Sequence, residues 1–334
     1  MYTDHDVNAA VSANIISQAQ ADALRQFVES ERATQLQDEE YVRFVSGFND
    51  IFVVIAAGVA LAALWSLGNL VGAWLGGALV ATTSWGLAEY FTRKRQMALP
   101  SIFLLLTCLG GVFLGTVVTL TTLQPESVFG PIAAFALSAI VAIVHWFRFR
   151  VPITLAAILA TSIGVALSLL VAVFAFSEVV FKLGLFSAGV ITFILALRWD
   201  RSDVARQTRR ADVAFWLHLL AAPLLVHPIF VTLAGATFDA GYLQAGLTIL
   251  GYAVLAMISL IIDRRALMIS ALSYVIYVFS KVLASVGLIH EGTAVIGLVI
   301  GAGLLLLSVF WHPLRRKLVQ RLPQRFAAQV PAAH

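Results

Sequence analysis

Residues 51–88 read IFVVIAAGVALAALWSLGNLVGAWLGGALVATTSWGLA, 38 positions between Asp50 and Glu89 without one Asp, Glu, Lys or Arg. A helix of a water-soluble protein keeps a charged face opposite its apolar stripe, and this stretch has none. It is interrupted only by the turn pair Gly68-Asn69. Two segments of about 18 to 20 residues, each enough for a hydrocarbon core of ~30 Å, fit around that turn as a hairpin. The alternating polarity of a membrane β-strand is missing, so the spans are helical.

The rest of the chain repeats the pattern. Of its 334 residues 60% are apolar and only 12% charged, and the mean hydropathy is +0.91. Disorder and an ordinary soluble fold are both excluded, because a soluble protein of this size needs roughly a quarter charged residues to cover its surface. Further spans are expected near 99–121, 131–147, 152–176, 179–197, 211–233, 241–262, 266–289 and 293–311. The predicted fold is therefore all-α, a polytopic transmembrane bundle of about ten spans. The segments before and after it are a cytoplasmic N-terminal region, 1–49, and a basic, disordered tail, 312–334.

Placement of positive charge orients the bundle. With the N-terminus inside, 20 of the 22 Lys and Arg fall in internal segments, and the outer loops hold Glu126, Asp239 and Glu291 instead. Lys182 and Lys281 lie within spans. That bias predicts that both termini are cytoplasmic. The net charge of +4 is then a topology signal directed at lipid headgroups. Nucleic acid is excluded as a partner, because the basic clusters lack interleaved aromatic platforms.

The first 49 residues carry eight Asp or Glu against three Arg, and open Met-Tyr-Thr-Asp-His-Asp rather than with a basic segment followed by an apolar core. The first apolar run is accordingly expected to be a retained span. Ser17-Gln-Ala-Gln20 has the form of a capping box, and Leu24, Phe27, Val28 and Leu36 recur at roughly helical spacing. This segment is expected to dock on the protein's own surface, a second copy or a protein partner. Cys108 is the single cysteine, which excludes an intramolecular disulfide and a thiolate metal cluster.

Ionisable residues inside spans are the functional candidates, because each costs at least about 2.5 kcal/mol at the centre of the bilayer. In the 266–289 span, Ser270, Tyr274, Tyr277, Lys281 and Ser285 fall within about 80° of one another at 100° per residue. They form one polar stripe. Lys281 sits ~12 Å below the outer end of its span, too deep to snorkel easily. It either lines a solute cavity or pairs with a carboxylate such as Glu178 or Glu291. In the 211–233 span, His218 and His227 are nine residues apart and lie on opposite faces of a straight helix. Pro223 and Pro228 predict breaks there of the kind that build binding sites in transporters.

Haem ligation requires two histidines at matching depth, and His145 and His218 do not match. No His-Glu-x-x-His helix, Gly-x-Ser-x-Gly elbow or phosphate-binding loop is present in the sequence. Neither a catalytic residue, a metal set nor a cofactor is therefore expected. Glu89 beside Arg93 reads as an interfacial ion pair. Gly72/Gly76, Gly111/Gly115 and Gly297/Gly301, each pair spaced by three residues, read as points of close helix contact.

Three segments carry a resemblance: Ile16-Ser-x-x-Gln-Ala-x-x-Leu24, Phe44-Val-Ser-Gly-Phe-Asn-Asp-Ile-Phe52, and Arg209-Arg-Ala-Asp-Val-Ala-Phe-Trp-Leu-His-Leu-Leu-Ala-Ala-Pro223. Together they resemble bacterial, chiefly proteobacterial, multi-pass predicted-membrane-protein families of unknown function. The resemblance implies an inner-membrane protein and lends no site residues. By size and span count alone the chain is also similar to ten-helix drug and metabolite exporters. The expected role is non-enzymatic: transport of a small solute or ion past Lys281, Tyr277, Tyr274, Ser270, Ser285, His218 and His227. The competing expectation is a scaffold that recruits a partner, or a second copy, through residues 1–49.

Overall fold

The computed structural model describes residues 48–233 (except 126, 175, 205 and 207), 242–265, 309–323, and short stretches that include 15–24, 270–272 and 301–303. The chain divides into two compact units, Met1–Val42 and Arg43–Ala333. In the first, residues 18–24 are helical and the expected capping box is present. Gln20 N donates to Ser17 Oγ (3.3 Å), and Ser17 N donates back to Gln20 Oε1 (2.9 Å).

The second unit is built of helices, with no strand among the described residues. These are α1 (Phe48–Asn69), α2 (Ala73–Ala88), α3 (Ala98–Leu123), α4 (Phe129–Phe149), α5 (Ile153–Phe174), α6 (Glu178–Arg201), α7 (Arg209–Leu233), α8 (Tyr242–Ile262) and α9 (Trp311–Gln320). Six of them, α1 and α3 to α7, are long and apolar enough to cross a membrane. The first eight fall where the sequence predicts spans. Helix α2 counts only 16 residues because a π-helical turn, Glu89–Lys94, takes over at its end. The two expected spans at 266–289 and 293–311 lie largely outside the described residues. The start of the basic tail is helical as α9, with Trp311 buried at its first turn.

Successive helices pack side by side in antiparallel order from α1 to α7, and α7 also packs on α5 and α8. Small residues are frequent in the interior, beside larger ones such as Leu104, Leu105 and Phe230. Ala57, Ala142, Ala196, Ala221, Ala222, Ser84 and Thr192 are buried, while Ile55, Val59, Phe147 and Ile191 are more than half exposed. An apolar exterior of that extent fits hydrocarbon rather than water as the surrounding medium. Helix α7 is the most enclosed, with 56% of its most apolar window buried against 6 to 33% for the other five spanning helices.

Small residues decide where backbones touch. A Cβ on Gly77 would stand 2.6 Å from the Cα of Gly115, and one on Gly68 2.6 Å from the Cα of Gly76. The expected close contacts at Gly76, Gly111 and Gly115 are thus observed, whereas Gly297 lies outside the described residues. Across the α2–α3 contact the Ser84 and Thr107 hydroxyls meet at 2.9 Å.

Pro223 and Pro228 do not break α7, which runs helically from Arg209 to Leu233. Each proline leaves one carbonyl without its i+4 donor, that of Leu219 and that of Leu224. Tertiary packing holds the helix regardless: α6 presses Gly189 onto the second of these places, where a Cβ would lie 2.9 Å from the Leu224 carbonyl carbon.

Candidate functional site

Antiparallel packing puts the α2–α3, α4–α5 and α6–α7 connections at one end of the bundle, together with the end of α8 and the start of α9, and ion pairs occur there. Arg148 donates to both oxygens of Glu89, through Nε at 2.7 Å and Nη2 at 2.8 Å, while Arg93 approaches the same carboxylate at 3.5 Å. The Arg148 guanidinium holds the Glu89 carboxyl below its usual range. At the opposite end Glu178 pairs with Lys182 at 2.6 Å, one turn along α6. Lys281, for which the sequence offered Glu178 as a partner, lies outside the described residues.

A cluster of buried charges forms on α7. Asp200 belongs to the last turn of α6, His218 is fully buried on α7, and Arg264 follows directly on α8 and is 3% exposed. Asp200 Oδ2 lies 2.7 Å from His218 Nε2, and Oδ1 lies 2.6 Å from Arg264 Nη2. A carboxylate held by a guanidinium is ionised and can only accept, so His218 Nε2 carries a proton and donates it. His218 Nδ1 is then an acceptor in the neutral ring. It is buried and has no hydrogen-bond partner among the described residues. The ring stands edge-on to Phe193 at 5.4 Å.

Local backbone chemistry explains how Arg264 arrives there. Asp263 takes the left-handed conformation, with φ 55°, which ends α8 and turns the chain back on itself. Arg264 N then donates to Ser259 O at 3.0 Å, and Ser259 Oγ donates to Arg264 O. Arg264 Nη2 also reaches Ala211 O at 3.4 Å.

Asp263 itself organises a second layer. Arg206 Nη1 bonds its Oδ2 at 3.1 Å, and Arg206 Nη2 donates to the carbonyls of Ile262 (3.3 Å) and Asp263 (3.1 Å), capping α8. Trp311 Nε1 donates to Asp263 Oδ1 at 3.0 Å, Arg315 Nε lies 3.6 Å from the same oxygen, and the Arg265 guanidinium covers the Trp311 ring at 4.8 Å. The α6–α7 connection, the end of α8 and the start of α9 are thereby tied into one polar layer.

A second buried histidine has a quieter setting. His145 on α4 contacts Thr154 Oγ1 at 3.3 Å through Nδ1 and packs against Trp85 and Phe149. Among the described residues it has no charged partner.

Of the residues singled out by sequence, His218 is buried in the cluster and His227 is exposed on α7, in agreement with half a turn between them. Ser270 is helical and half-buried. Tyr274, Tyr277, Lys281 and Ser285 lie outside the described residues. Sequence reasoning did not find Asp200, Arg264, Asp263, Arg206 and Trp311 as a set. The available signal was an acidic residue beside arginines at two span ends, Arg198-Trp-Asp-Arg201 and Asp263-Arg-Arg265, where positive charge alone would serve topology.

The arrangement can store an ion pair in a dry setting and can accept one more proton, at His218 Nδ1. No protein-family model, curated protein or solved structure matches this chain.

Proposed function

We propose that the chain is a non-enzymatic transporter of a small solute or ion in a bacterial inner membrane. In this reading it has ten spans, both termini are cytoplasmic, and the polar pathway includes Lys281, Tyr277, Tyr274, Ser270, Ser285, His218 and His227. The observation that carries the proposal is the Asp200–His218–Arg264 cluster, buried among helices of spanning length and apolarity. Desolvating such charges costs several kcal/mol per ion, so ionisable groups kept at such sites mark ion and solute pathways.

Purified protein in sealed proteoliposomes, screened against a panel of ions and metabolites, tests this. Flux above that of empty vesicles, lost in Lys281→Met, supports it. Folded protein that moves no member of the panel counts against it. A scaffold role, in which residues 1–49 recruit a partner, is favoured by the separate N-terminal unit with its capped helix. Deleting residues 1–40 would then remove the partner, whereas a transporter without such a role keeps its flux.

A further inference from the structure

We propose that His218 Nδ1 is a proton-binding site and that a proton there unlocks Arg264 from Asp200. The inference deepens the transport reading, on which it rests, by naming the coupling ion as H⁺. Three observations carry it: an unpartnered acceptor on a fully buried ring, a carboxylate shared by that ring and a guanidinium, and the place of that guanidinium beyond the end of α8 rather than within a helix.

With His218 neutral, the cluster balances one carboxylate against one guanidinium. The charged groups around the ring are Asp200 from α6, Arg206 from the α6–α7 connection, and Arg264 from beyond α8. Asp212 and Arg209 lie on α7 itself. Helix α5 contributes no titratable side chain, and α8 contributes Tyr252, which packs at Val226 and Phe230, two turns beyond His218. A proton taken from water at Nδ1 therefore makes an imidazolium whose adjacent counter-charge among the described residues, Asp200, is already engaged by Arg264. No other bond forms or breaks, and the proton returns to water when the ring is deprotonated.

Two cations then compete for one carboxylate. His218 and Asp200 sit within packed helices, whereas Arg264 lies beyond the end of α8, after the left-handed Asp263. Arg264 is the group that can leave. Because Asp263 anchors Arg206, Trp311 and Arg315, its departure loosens the whole layer that ties α6, α8 and α9 together. The proton is thereby linked to opening at that end of the bundle, and the complete burial of His218 means that the site exchanges its proton only when that end opens.

The test uses the full chain in nanodiscs. Spin labels at Ser202→Cys and Arg316→Cys, on a Cys108→Ser background, report the separation of the α6–α7 connection from α9. Histidine-labelled protein, with His218 assigned by difference against His218→Gln, reports protonation by NMR. The expected result is a longer inter-label distance at acid pH whose midpoint tracks the His218 signal. His218→Gln keeps a donor for Asp200 and cannot be charged, so it stays closed throughout; Arg264→Gln is open throughout. A pH-independent distance in the wild type, the same pH response in His218→Gln, or a His218 signal that titrates without any distance change overturns the proposal. Failure of flux alone leaves these readouts intact, so loss of the transport reading and loss of the proton lock are told apart.

Discussion

Removing the Asp200 carboxylate probes the buried cluster most directly. In Asp200→Ala, Arg264 loses its 2.6 Å bond while 3% exposed, and the Nε2–H of His218, fully buried, loses its 2.7 Å acceptor. An uncompensated buried charge costs about 3–5 kcal/mol, and a stranded neutral donor about 1–3 kcal/mol. Arg264 can relieve part of this by swinging toward water, so the expected destabilisation is about 3–5 kcal/mol rather than the full sum. Arg264→Met should cost a similar amount, because it leaves Asp200 with only a neutral imidazole. The double variant Asp200→Leu/Arg264→Met removes both charges, and its cost should fall short of the sum of the single variants by at least about 2 kcal/mol. Unfolding in detergent micelles, followed by tryptophan fluorescence, measures all three. Additive costs, or a single-variant cost below about 1 kcal/mol, would show that the pair is not held in a desolvated setting and would refute the reasoning.

Helix contacts and interfacial pairs make further predictions. Gly189→Ala places a methyl group 2.9 Å from the backbone of Leu224, which cannot give way, so α6 and α7 must separate; a loss of about 1–3 kcal/mol is expected in thermal unfolding. Gly86→Ala, with nothing within 4 Å, should be neutral or stabilising by up to about 1 kcal/mol in the same assay. Because the Glu89 carboxyl is held below its ordinary value of 4.5, its stabilising effect is complete above that pH and fades as pH falls through the lowered value. The difference in melting temperature between the wild type and Glu89→Gln should accordingly be constant at neutral pH and vanish in acid. Trp311→Phe removes the donor to Asp263, at a cost of about 1 kcal/mol; faster proteolytic release of the chain beyond α9 would register it.

Helix positions were legible because hydrocarbon leaves a backbone no partner but itself, so a charge-free run of sufficient length must be helical. The helix ends were less so. The run expected at 179–197 continues to Arg201, because Arg198 and Arg201 suit the negative end of the helix dipole and need not terminate it. The prolines of α7 misled for a related reason: their effect on an isolated helix is local, while packing against Gly189 is tertiary.

Composition and charge order thus determine by themselves that this is a helical chain suited to lipid, with arginines collected at alternate connections. They could not assemble the site. Asp200, His218 and Arg264 stand far apart along the chain and each has an innocent local reading as a span-end charge or a packing histidine. Only the packing of α6, α7 and α8 brings them within hydrogen-bond distance, and hydrogen bonds depend on distances in space that sequence separation does not encode.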